Sequence, residues 1–128
     1  MNTRITIYNK AEKIYDEAAA IVLSQVEVHP FLASSKIGKA NLLARQGQYA
    51  LAKTLYIEAI AILEILFGKY HHELAQPKAA LASVCNFCGD RDLAISLYHE
   101  AIELLQSAFG NEHPAIAFYQ NNLYIANT

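Results

Sequence analysis

Cys85 and Cys88 have the most suggestive spacing in the chain. Cys85-Asn86-Phe87-Cys88 is a Cys-x-x-Cys, which serves thiol–disulfide exchange or supplies half of a zinc site. A structural zinc takes four ligands, usually from two such pairs, and the chain has only these 2 cysteines. The redox form of the motif sits beside a strand–helix unit, and no segment alternates apolar and polar residues long enough to form a sheet. The histidines do not assemble a site either. His29, His71 and His113 recur at regular intervals and read as architecture, His99 lies beside Glu100 on a helix surface, and His72 falls in a loop. The acidic residues Glu58, Glu64, Glu100 and Glu103 are scattered in the manner of solvated helix faces. No phosphate-binding glycine loop, nucleophile elbow or paired carboxylates is present. The expectation is therefore a non-enzymatic chain with no catalytic residue, no metal and no cofactor. A thiol- or metal-dependent regulator built on Cys85 and Cys88 is the lesser alternative.

Composition sets the class of fold. The 128 residues fit one domain, and 54% of them are apolar against 17% charged, the opposite of a disordered composition. The formal net charge is −2 and no cluster of Lys and Arg appears, so nucleic acid is not an expected partner. No run of eighteen apolar residues exists, so no membrane partner is expected. The opening Met1–Thr6 lacks the basic-then-apolar layout of a secretory signal. Together with two thiols this suggests a cytoplasmic setting.

An internal repeat organises everything else. Placed over Ala82–Ala117, the segment Ala40–Ala75 is identical at 14 of 36 positions, where roughly three matches would arise by chance from such a composition. The offset is 42 residues. The shared positions include Ala40/Ala82, Gly47/Gly89, Tyr56/Tyr98, Ala59/Ala101, Phe67/Phe109, Gly68/Gly110 and His71/His113. A weaker first copy precedes them: Tyr15 and Ala18 resemble Tyr56 and Ala59, and His29-Pro30 resembles His113-Pro114. Inside each copy the apolar residues step by three and four, as on one face of a helix. Leu51, Ala52, Leu55, Tyr56, Ala59, Ile60, Leu63 and Phe67 do so, and their counterparts from Leu93 to Phe109 follow. Gly47 and Gly89 mark the end of a first helix, Gly68 and Gly110 the end of a second. The spacing predicts six helices, at about 6–26, 30–46, 49–67, 72–88, 91–109 and 114–126. Pro77 either delays the start of the fourth helix or kinks it.

The positions Ala40, Gly47, Ala52, Tyr56 and Ala59, and again Ala82, Gly89, Ala94, Tyr98 and Ala101, resemble a tetratricopeptide repeat. That repeat usually has a period of 34 residues. The 42-residue period, Leu-Tyr-x-Glu-Ala-Ile and Phe-Gly-x-x-His resemble the kinesin light chain subtype. The resemblance implies an all-α solenoid of about six antiparallel helices in one domain, residues 1–128. Its repeats would fall at about 8–29, 30–71, 72–113 and, in part, 114–127. The small residues would let helices approach closely, and Tyr56, Tyr98, Phe67 and Phe109 would fill the wider gaps. Lys39 departs from the family, which prefers Leu there.

The resemblance also implies a non-enzymatic adaptor. In the family the first helix of each pair lines a concave face that takes a peptide or protein segment. Carried over by position, the binding candidates are Ser34, Gly38, Asn41 and Arg45; Gln76, Ser83, Asn86 and Phe87; and Phe118, Asn121 and Asn122. Amides offer both donors and an acceptor to a peptide backbone, and Arg45 suits a carboxylate. The apolar first helix and the last helix, which lacks a mate, leave self-association through the terminal helices as a second route to partnering.

Overall fold

The computed structural model describes Lys13, Ile14, Glu17 and residues 30–128. Lys13, Ile14 and Glu17 are helical and exposed. The rest of the helix predicted at 6–26, the repeat at 8–29 and His29 lie outside the described residues. Five α-helices follow: α1 (Pro30–Arg45), α2 (Tyr49–Phe67), α3 (Ala75–Phe87), α4 (Arg91–Phe109) and α5 (Pro114–Asn127). A short 3-10 turn, His72–Leu74, leads into α3. Among the described residues there is no strand.

The turns repeat as faithfully as the sequence does. α1 closes with Gln48 N–H donating to Leu43 O at 2.9 Å, and α3 closes with Asp90 N–H donating to Cys85 O at 2.9 Å. This six-to-one bond needs a left-handed residue just before its donor, a conformation that costs side-chain-bearing residues energy. Gly47 and Gly89 supply it, with φ of 78° and 84°. The helix starts are capped by histidine. His71 Nδ1 accepts from Glu73 N–H, and His113 Nδ1 accepts from Ala115 N–H, both at 3.1 Å. Pro114 follows at the first helical position, where its fixed φ is favourable and its missing N–H costs nothing.

Pro77 resolves as a late start. The predicted helix 72–88 begins as the 3-10 turn and becomes α-helical at Ala75, which puts Pro77 third in α3. First-turn positions make no intrahelical N–H bond, so proline breaks none there. Its ring is buried.

One apolar interior runs through the stack. Each helix packs on the next, and the first helices of neighbouring repeats also touch, α1 on α3 and α3 on α5. Ala40, Ala52, Ala59, Ala82, Ala94 and Ala101 are all fully buried, which lets helix axes approach within the reach of small side chains. Tyr56 and Tyr98 are 2% and 3% exposed and fill the wider spaces. Phe67 and Phe109 do not. They are the last residues of α2 and α4 and are 40% and 51% exposed.

Two ion pairs recur at the same offset. Lys36 Nζ meets Glu58 Oε2 at 2.7 Å, and Lys78 Nζ meets Glu100 Oε2 at 2.8 Å. Each joins the two helices of one hairpin. Both are partly solvated, so each contributes at most about 1 kcal/mol.

Candidate peptide-binding surface

The contact pattern separates two sides of the stack. The backbones of α1, α3 and α5 approach one another in series, whereas those of α2 and α4 stay further apart. α1, α3 and α5 therefore form one side of the stack, and α2 and α4 the other.

Helical spacing then sorts the candidates. On α1, residues 34, 38, 41 and 45 step by four, three and four, which keeps them on one face. Shifting by 42 gives rows across the three helices: Ser34, Gln76 and Phe118; Gly38, Ala80 and Asn122; Asn41, Ser83 and Ile125; Arg45 and Phe87. All are exposed except Ala80, Ser83 and Asn122, which are half-buried. Asn86 and Asn121 flank the rows rather than join them. Asn121 stands where the previous repeat has the buried Ala79, and Asn86 where the first has half-buried Ala44.

Two of the polar candidates are already engaged within the protein. Tyr56 Oη donates to Asn41 Oδ1, which leaves the Asn41 amide N–H groups for a ligand. In the next repeat Ser83 hydrogen-bonds Tyr98. Burial pushes the Tyr98 hydroxyl above its ordinary pKa, and the Ser83 bond works in the opposite sense. Burial raises Tyr56 as well. Both tyrosines thus stay neutral and bind the polar row to the second helix of the hairpin. This coupling gives Asn41 and Ser83 a structural role alongside any binding one.

The surface grades in polarity along the stack. α1 offers Ser34, Gly38, Asn41 and Arg45. Among the described residues, Arg45 forms no ion pair within 4.0 Å. α5 offers Phe118 and Ile125, 63% and 55% exposed. Between them Phe87 lies parallel to Tyr49, with ring centroids 4.9 Å apart. The middle row has small residues in two of the three helices. A Cβ built on Gly38 meets nothing within 4 Å, so the floor there is open.

Sequence reasoning missed Ala80, Ile125 and Tyr49. The 42-residue offset contains the first two, since they share rows with Gly38 and Asn41. The third depends on tertiary packing that no spacing reveals. A separate hollow of about 430 Å³ opens on the opposite face of α3 from the rows. It is lined by Glu64, Lys69, Tyr70 and Ser107, and by the Lys78–Glu100 pair.

Cys85 reads as structure. Cys85 is fully buried and Cys88 exposed, and the two are not bonded to each other. Burial pushes the Cys85 thiol up to about 11. Lys53 pulls it down, and Asp90 and Cys88 add smaller upward contributions. A thiol that stays protonated at neutral pH is a poor nucleophile and a poor metal ligand. Among the described residues no group of three or more His, Cys, Asp or Glu side chains could hold a metal ion. The capping role also occupies Nδ1 of His71 and of His113.

No helix among the described residues is long and apolar enough to cross a membrane. No curated protein shows significant similarity to the chain. The family model for the tetratricopeptide repeat matches residues 32–73 and 79–115, more than half of the chain. The two matched segments coincide with the hairpins α1–α2 and α3–α4 and with their duplicated turns, caps and ion pairs, and the chain belongs to the tetratricopeptide repeat family.

Proposed function

We propose that this protein is a non-enzymatic adaptor whose concave face, lined by α1, α3 and α5, holds an extended segment of a partner protein. The observation that carries this reading is the row pattern. Exposed and half-buried residues at equivalent positions of three successive first helices form one surface, with small residues at Gly38 and Ala80 where a peptide backbone can approach. Tetratricopeptide repeats generally mediate protein–protein interaction, and stacked hairpins create extended concave surfaces suited to it. The residues assigned to contact are Ser34, Asn41, Arg45, Gln76, Ser83, Phe87, Phe118 and Asn122, with Asn86 and Asn121 at the margin. The 42-residue period and Phe109-Gly110-Asn111-Glu112-His113 support the kinesin light chain-like subtype. The two free thiols suit a cytoplasmic setting.

Self-association through the terminal helices is the weaker reading. A mate packed on α5 as α4 packs on α3 would cover Asn121, Tyr124 and Asn127. These stand where α3 has the buried Ala79, Ala82 and Cys85. Tyr124 is 70% exposed and too large for the close approach that alanine permits.

Affinity capture with the wild type and with an Arg45→Ala/Phe87→Ala/Asn122→Ala variant tests the proposal. None of the three side chains belongs to the buried core, and far-UV circular dichroism checks that the variant is folded. Partners retained by the wild type and lost by the variant support the inner face. An unchanged set of partners removes it. Light scattering on the same sample separates the second reading, which requires an oligomer.

A further inference from the structure

Five rings run in a chain along the edge of the stack where second helices turn into first helices. Phe67 stacks on His71 at 4.7 Å, His71 on His72 at 4.4 Å, His72 meets Phe109 edge-on at 4.8 Å, and Phe109 lies 5.1 Å from His113. The two outer pairs are repeat equivalents, 67/71 and 109/113, each formed within one turn. His72 is different. Its equivalents in the neighbouring copies are Pro30 and Pro114, so one repeat has exchanged its helix-starting proline for a ring. That ring is what joins the two pairs: among the described residues, no other ring contact links Phe67 or His71 to Phe109 or His113.

The exchange has a cost. Proline presets the backbone of a first helical turn, and the repeat with His72 begins instead with a 3-10 turn before α3. The gain is a contact between the turn at 68–74 and the end of α4, from His72 to Phe109. The 3-10 turn already reaches α2, α3 and α4, so it sits where three helices meet.

We propose that His72 couples the two inter-repeat turns, 68–74 and 110–113, so that they open together, and thereby fixes the spacing of α3 and α5 at one end of the concave face. This coupling is independent of whether that face binds a partner. It does not require any change in the charge of the histidines, only ring contact.

Native-state amide exchange on the full chain tests it. The reporters are Gly110 N–H, bonded to Gln106 O, and Ala115 and Ile116 N–H, bonded to His113. His72→Pro restores the residue of the other two copies and keeps the local turn ordered. The coupling predicts faster exchange at 110–116 in this variant, by about two- to tenfold, the scale of one aromatic pair. His72→Phe keeps a ring and should leave exchange at 110–116 at the wild-type rate. Unchanged exchange at 110–116 in His72→Pro would overturn the proposal, as would accelerated exchange in His72→Phe.

Discussion

Leu74 is the most demanding place to test whether the repeats share one interior. It lies in the 3-10 turn between hairpins, is fully buried, and belongs to the same cluster as Ile60, Leu63, Leu81, Leu97 and Tyr98. Leu74→Ala removes three carbon atoms. At about 0.8 kcal/mol per buried methylene, the lost transfer energy is roughly 2.4 kcal/mol. The turn is held by α2, α3 and α4 and can relax only in part, so a residual cavity adds about 1–2 kcal/mol. The expected loss is about 3–4 kcal/mol, or a fall in Tm of about 12–16 °C for a chain of this size. Urea unfolding followed by far-UV circular dichroism measures it, with Phe118→Ala as the exposed control expected to cost under about 1 kcal/mol. The slope of the transition should not change. A loss below about 1 kcal/mol for Leu74→Ala, or unfolding that splits into two steps, would refute the shared interior.

Further outcomes follow from the caps, the thiols and the proposed binding face. His113→Ala should destabilise by about 1 kcal/mol and His113→Asn by less, because asparagine still caps Ala115 N–H; thermal melts distinguish them. Cys88 should be alkylated by iodoacetamide at pH 8 while Cys85 is spared until the protein unfolds, as mass spectrometry of timed aliquots would read out. Burial raises Cys85, Tyr56, Tyr98 and Tyr119 in the folded state. Stability should therefore hold up to about pH 9 and fall as pH rises from there through about 11, with Cys85 contributing on the order of 2–3 kcal/mol of that loss. A flat stability profile between pH 9 and 11 would contradict this. Gly38→Ala, with open space around it, should stabilise α1 by about 0.5–1 kcal/mol, measured by the same denaturant titration.

The architecture was legible because its determinants are local and duplicated. Helix ends at Gly47, Gly68, Gly89 and Gly110 and the buried alanines all follow from spacing and side-chain size. So does the inert burial of Cys85, which occupies the position of Leu43. The recurring ion pairs were equally present in the sequence, since Lys36/Lys78 and Glu58/Glu100 keep the same offset. Other features depend on three-dimensional encounter. Phe67 and Phe109 looked like core by their helical phase, yet they end their helices and stack on histidines instead. The engagement of Asn41 by Tyr56 joins residues fifteen apart on two different helices, and no side-chain type announces it. His72 looked like a loop residue and proved to be a bridge.

Site-specific photo-crosslinking tests the central claim most directly. A benzophenone side chain placed at half-buried Ala80, within the proposed binding face, is compared with one at Glu103, exposed on the opposite side of the stack. The account predicts covalent partner adducts from position 80 that disappear when Arg45, Phe87 and Asn122 are replaced by alanine. Adducts formed from position 103 and not from position 80 would contradict it.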